Sequence, residues 1–159
     1  MEQQQLFVTM AIQGWESYIR RTDQLFAGLT DEQLLKEIAP GKNRGIYLLG
    51  HLTAVHDRML PMLGLGEPLY PQLEKPFLST PDKSGLAFPS SQELRQYWSE
   101  SNRKLAEGFA ALTPHEWFQR HTAVSAEDFA KEPHRNKLNL ILNRTGHLSY
   151  HLGQLVLLK

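Results

Sequence analysis

Residues 143–159 read NRTGHLSYHLGQLVLLK, an apolar run interrupted by two histidines four residues apart. At about 100° per residue, a helix through this stretch sets His147 and His151 about 40° apart and one turn from each other. Asn143 falls about 40° to the other side of His147 and Gln154 about 20° from it, so Asn143, His147, His151 and Gln154 form one narrow polar stripe. Ile141, Leu148, Leu152, Leu155 and Val156 flank that stripe or lie across the helix from it. A helix apolar over most of its circumference is buried. The stripe is therefore expected to face the interior of a group of helices, where an unpaired polar group costs about 1–3 kcal/mol.

The rest of the chain supplies those helices. Helical periodicity recurs over four long segments, and none sustains the alternation of a strand. The expected class is all-α, a four-helix bundle in one domain over residues 1–159. Helix one runs from about Gln4 to Gly28, with Phe7, Met10, Trp15, Tyr18, Ile19, Leu25 and Phe26 inward. Helix two spans Arg44 to Leu63 with Asn43 as N-cap, helix three Ser91 to Leu112, and helix four Lys137 to Leu158. Thr30 with Gln33, Ser90 with Glu93, and Thr113 with Glu116 read as capping boxes, the last with Pro114 at the first helical position. Residues 64–89 carry five prolines and three glycines but too much Leu and Phe for a disordered linker, which predicts an ordered crossover between helices two and three. Residues 125–136 read as irregular. The two halves also echo each other: a long helix, then LTDEQ or LTPHEW, then a loop, then a helix containing Gly-His-Leu. That echo equates His51 with His147.

Two imidazoles at i and i+4 can converge on one divalent ion, as in zinc-binding His-Glu-x-x-His helices. The Glu of that motif is absent here, and with it the general base of a zincin protease. His51 sits mid-helix, sharing its face with Tyr47, Val55 and Arg58, and inward histidines from different helices are how bundle metal sites are built. His51, His147 and His151 would give three neutral nitrogen ligands and leave coordination positions open, the style of a catalytic site. Asn143 and Gln154 would orient imidazole N–H groups around them. Arg58, about 20° from His51, either lines the pocket or reaches solvent at the bundle end; if inward, it needs a carboxylate or a substrate anion. His56, about 140° from His51, is expected at the surface or flank. His115, His121 and His134 fall in the second-half connection and are expected to be solvated. The plainer alternative is that the three histidines only hydrogen-bond within a metal-free core.

Composition narrows the chemistry. Lys plus Arg and Asp plus Glu balance at 17 each, so no net field recruits nucleic acid or anionic lipid. With no cysteine, disulfides, thiolate ligands and a cysteine nucleophile are excluded, leaving histidine, carboxylate and hydroxyl chemistry. The start MEQQQLF has no signal-peptide pattern and no window resembles a membrane span, which predicts a soluble, cytoplasmic protein.

The order of long helix, LLGHL, long crossover and terminal HLSYHLGQL resembles the DinB/YfiT-like superfamily of metal-binding four-helix bundles over essentially the whole chain. The resemblance implies a divalent metal, zinc by default with nickel or iron as alternatives, held by His51, His147 and His151 with Gln154 beside them. It also implies a homodimer and a small-molecule substrate. Relatives include transferases of low-molecular-weight thiols and hydrolase-like proteins, so a thiol-transferase or hydrolase is expected, against a non-catalytic scaffold with a vestigial or empty site. A dication on three neutral ligands keeps its charge and can lower the pKa of a water or thiol. No carboxylate lies on the triad faces. A general base would come from elsewhere, such as Glu16, Glu100 or Glu107, and no catalytic residue is assigned.

Overall fold

The computed structural model describes residues 3–159, and these form an all-α bundle. The long helices are α1 (Gln3–Gly28), α3 (Gly45–Asp57), α5 (Ser91–Ala111) and α8 (Lys137–Leu155). Short helices α2 (Asp31–Leu34), α4 (Met59–Leu63), α6 (Pro114–Trp117) and α7 (Ala126–Lys131) fill the connections. All three capping boxes form, with each hydroxyl accepting the N3 amide and each N3 side chain accepting the cap amide. Pro114 opens α6, where its missing N–H costs nothing. Asn136 caps α8 through the Asn139 amide.

Helix α1 packs along α8, and α3 along α5. The α3 and α8 helices run antiparallel: a side chain at Gly45 would strike Leu158, His51 meets His147, and Arg58 and Arg144 line one cleft. Two apolar clusters fill the interior. One holds Leu25, Phe26, Leu48, Leu52, Trp98 and Leu148; the other holds Trp15, Met59, Leu63, Leu105, Phe109 and Ile141. Between them α3 contributes His56 and Asp57 and α5 contributes Ser101 and Asn102, all buried. The core thus has a polar waist, and every group in it must find a partner.

The long connection is ordered and strapped along α3. Asp57 accepts the amides of Leu69 and Tyr70, each at 2.8 Å. His51 donates Nδ1–H to the Phe77 carbonyl at 2.9 Å, Tyr47 donates its hydroxyl to Thr80 O at 2.7 Å, and Arg44 pairs with Asp82 at 2.7 Å. Going up the connection therefore means going down α3. Its last helical piece is a widened π-type turn, Lys75–Ser79. Phe77 O would need the amide of residue 81 in an ordinary α-helix, and residue 81 is a proline without one. His51 takes that vacant acceptor.

Several expectations are corrected. Phe7 and Met10 are 56% and 59% exposed, because Val8, Ala11 and Trp15 take the inward positions and Met10 lies about 160° from Val8. Helix two is two helices, broken at Arg58. Pro61 has no N–H to offer Asp57 O, so the helical ladder must restart. Its N-cap is Arg44, not Asn43, and Arg44 N–H goes to Asp82. Residues 126–131 are helical, with Ser125 capping Asp128. The duplication is real in its caps but not in its histidines. Matching bridges, Glu37 with Arg44 and Arg120 with Asn136, start α3 and α8. Registering Arg44 on Asn136 sets His51 opposite Asn143, with His147 about one turn further on.

His56 is the largest departure, being fully buried rather than on the flank. It lies between Trp15 and Trp98, with ring centroids 4.6 and 4.9 Å away, and donates Nδ1–H to Asn102 Oδ1 at 2.8 Å. The α3 surface there is apolar enough to be enclosed on all sides, so angular distance from His51 does not mean exposure. Burial, opposed by the Asn102 hydrogen bond, pushes its pKa down to about 3. The unfolded chain takes up a proton near the ordinary histidine value, about 6.5, while the folded chain refuses it until about 3. Stability is therefore expected to fall by about 1.4 kcal/mol per pH unit from this residue as pH drops through that window. Acid unfolding of a His56→Gln variant should show a shallower slope, and an unchanged slope would contradict this account.

Candidate metal centre

Three imidazoles from two helices meet on the bundle's inner side. His51 comes from the middle of α3, and His147 and His151 from successive turns of α8. One nitrogen from each lies within 4.8 Å of the others. The closest pair, His51 Nε2 and His147 Nε2, is 3.1 Å apart. Two ligands with bonds of about 2.0–2.1 Å at a tetrahedral angle sit about 3.3–3.4 Å apart. The pair is within a few tenths of an ångström of that spacing.

The tautomers suit a ligand set. The Phe77 carbonyl can only accept, so His51 carries its proton on Nδ1 and has a bare Nε2. Gln154 donates its Nε2 to the Tyr150 hydroxyl at 3.3 Å, which turns its Oε1 to accept His151 Nδ1–H at 2.7 Å. His151 Nε2 is therefore bare as well. His147 differs: its Nδ1 is buried and has no partner among the described residues. With its proton on Nδ1, its Nε2 joins the other two lone pairs; with its proton on Nε2, it donates to His51 instead. Burial lowers the pKa of all three, that of His147 to about 4, with the neighbouring imidazoles and Arg144 adding to its shift. All three are neutral at physiological pH, as ligation requires.

Close packing aims the first of these rings. Residue 50, immediately before His51, is glycine, and a Cβ there would come within 2.2–2.5 Å of three Phe77 ring atoms. The Phe77 side chain is fully buried and has nowhere to go. Gly50 thus lets the connection lie against α3 closely enough for Phe77 O to reach His51. Tyr47 stacks on His51 with ring centroids 6.3 Å and planes 11° apart, and also meets Phe77 at 5.8 Å.

The sequence profile of the DinB superfamily matches residues 15–155. The chain belongs to the DinB superfamily. No curated protein matches it. The matched span contains the three histidines, the connection and most of all four long helices of this DinB-superfamily bundle. No described helix is long and apolar enough to cross a membrane.

The surrounding residues of this DinB-superfamily chain sort differently from the sequence reading. Gln154 accepts the His151 Nδ1–H, whereas Asn143 is exposed and makes no hydrogen bond to any of the three rings. Arg58 is exposed and lines a cleft beside the site rather than the interior. Of the other histidines, His115 and His134 are exposed, while His121 is half-buried with an unpartnered Nδ1. None of the three carboxylates considered reaches the rings: Glu100 accepts from the Tyr70 hydroxyl, Glu107 pairs with Arg103, and Glu16 lines an apolar groove between α1 and α5. Phe77 and Arg144 were missed. Pro81 was the available signal for Phe77, and Arg144 carried none beyond its place one turn before His147.

The two Gly-His-Leu motifs allow a paired test. Gly50→Ala should lose about 1–3 kcal/mol to overpacking. Gly146→Ala, where a Cβ meets nothing within 4 Å, should gain about 0.5–1 kcal/mol from helix propensity. Chemical denaturation of both variants checks this, and equal effects would refute the packing role given to Gly50.

Proposed function

We propose that this protein binds one divalent transition-metal ion through Nε2 of His51, His147 and His151 and uses it in a small-molecule reaction, a thiol transfer or a hydrolysis. One observation carries the reading: the Nδ1–H groups of His51 and His151 are both committed to fixed oxygen acceptors, which leaves their Nε2 atoms bare in a cluster where one nitrogen of each ring lies within 4.8 Å of the others. Hydrogen bonds of this kind orient metal-binding histidines and raise their basicity. Membership in the DinB superfamily is consistent with it. When bound, the ion supplies Lewis acidity, with coordination positions left free for substrate.

The chain's own part is positional. Phe77 O and Gln154 hold two rings still, Tyr47 packs against one of them, and the enclosing helices limit water. With no carboxylate in the cluster among the described residues, the reading favours a substrate that carries its own ionisable group, such as a thiol, over one needing a protein base. Imidazole donors suit zinc first, with nickel or iron as alternatives. A homodimer and a cytoplasmic setting complete the proposal. A second reading rests on the 3.1 Å His51–His147 contact, which a plain hydrogen bond in a metal-free scaffold would also explain.

Metal content of protein purified without nickel affinity separates the two. The metal reading expects one equivalent, lost in His51→Ala and His147→Ala. Gln154→Ala should weaken zinc about 10–100-fold, and Asn143→Ala should leave it unchanged. Calorimetry finding no zinc binding at pH 7.5 would leave the scaffold. Adding a thiol to an electrophilic acceptor, with and without the ion, then tests activity.

A further inference from the structure

One helical turn from the triad lies a cleft of about 180 Å³, lined by Val55, Arg58, Met62, Leu78, Ala123 and Arg144. Val55 follows His51 by four residues on α3 and Arg144 precedes His147 by three on α8, so the cleft is displaced from the imidazoles by about 4–6 Å along both helices. Leu78 extends the contact from Phe77, whose carbonyl holds His51. The cleft and the triad lie along the same two helices, α3 and α8.

Two arginines line this space, and among the described residues neither has a carboxylate partner, although six other ion pairs form elsewhere. Arg144 is half-buried, and its Nε is buried without a hydrogen-bond partner. Two acids share a neighbouring cleft with Arg58, and neither pairs with it. Asp57 spends its oxygens on the amides of Leu69 and Tyr70 and on Ser101. Glu74 shares only a smaller neighbouring cleft with Arg58 and forms no ion pair with it. The charge of Arg144 is felt at His51 and His147, and burial followed by the charge of Arg58 lowers its own pKa. A half-buried, unpaired arginine facing a second arginine is costly unless something anionic completes it.

We propose that Arg58 and Arg144 form an oxyanion subsite that receives a carboxylate or phosphate group of the substrate while its reacting end lies at the triad. A guanidinium presents a planar fork of donors that matches both groups bidentately. Val55, Met62, Leu78 and Ala123 give the cleft apolar walls, which fit a short aliphatic stem between the anion and the reacting end. Its service as a substrate subsite rests on the metal reading above, but the anion site itself does not.

The test uses the full chain, both as purified and after chelation of its metal, with inorganic phosphate and succinate as separate probes. The arginine Nε–H resonances are followed by NMR, and affinities are taken from the titrations. Both states should show a saturable shift of the Arg144 Nε–H, and the stronger probe identifies the preferred oxyanion. Arg144→Gln and Arg58→Gln should each weaken that probe about tenfold, with unchanged melting temperature in at least the exposed Arg58 variant. Unmoved resonances, or equal affinity in wild type and both variants, would overturn the subsite. So would binding that vanishes on chelation, since the ion alone would then hold the anion. Persistent binding in His51→Ala, where the metal is removed, separates failure of the metal reading from failure of this one.

Discussion

The hydrogen bond from His51 Nδ1–H to the Phe77 carbonyl is the contact on which the rest of the site depends. It satisfies a carbonyl that Pro81 leaves without a helical donor, it fixes which nitrogen of His51 is bare, and it ties the long connection to α3. A single such bond contributes only about 1 kcal/mol net. Its importance is that three other features presuppose it: the glycine at position 50, the buried Phe77 ring, and the stacked Tyr47, whose hydroxyl reaches Thr80 one turn away. Widened helical turns often mark functional positions, and this one exposes its carbonyl where an inward imidazole can take it.

The polar waist explains how a small bundle tolerates such a site. Two apolar clusters hold the ends of the helices together, and the groups between them are paired almost completely: Asp57 with two amides, His56 with Asn102, Asn102 with Trp98 O. Among the described residues five buried side-chain atoms lack partners: His56 Nε2, Trp117 Nε1, His121 Nδ1, Arg144 Nε and His147 Nδ1. Buried polar groups without partners are rare in folded proteins because each one costs stability. Two of these five atoms, His147 Nδ1 and Arg144 Nε, lie in the triad or one turn from it, where a small polar ligand could complete them.

Much of this was legible from the sequence, for identifiable reasons. Capping boxes are local, so Thr30, Ser90 and Thr113 announced their helices without knowledge of the fold. The i, i+4 spacing of His147 and His151 is also local, and the inward placement of His51 follows from mid-helix periodicity. What depended on packing was hidden. Phe7 and Met10 read as core although only one face of α1 could be covered, and His56 read as flank because the face opposite His51 was assumed to be outside. Asn143 was assigned by angle alone, which ignores how far along the helix the site lies; the same distance put Arg144 beside it. The Gly-His-Leu echo misled in a similar way, since the caps show that the two histidines are a turn out of register.

Long surface connections usually absorb inserted or deleted residues at little cost, because closing a slightly longer loop is entropically cheap. The segment from Leu69 to Asp82 should not behave that way. Its four anchors meet α3 in reversed order, at Asp57, His51, Tyr47 and Arg44, so a one-residue indel between any two of them would carry every later anchor out of phase with the helix. Divergence in this stretch should therefore proceed by substitution at fixed length, with variation in length confined to the stretch before Leu69 or after Asp82.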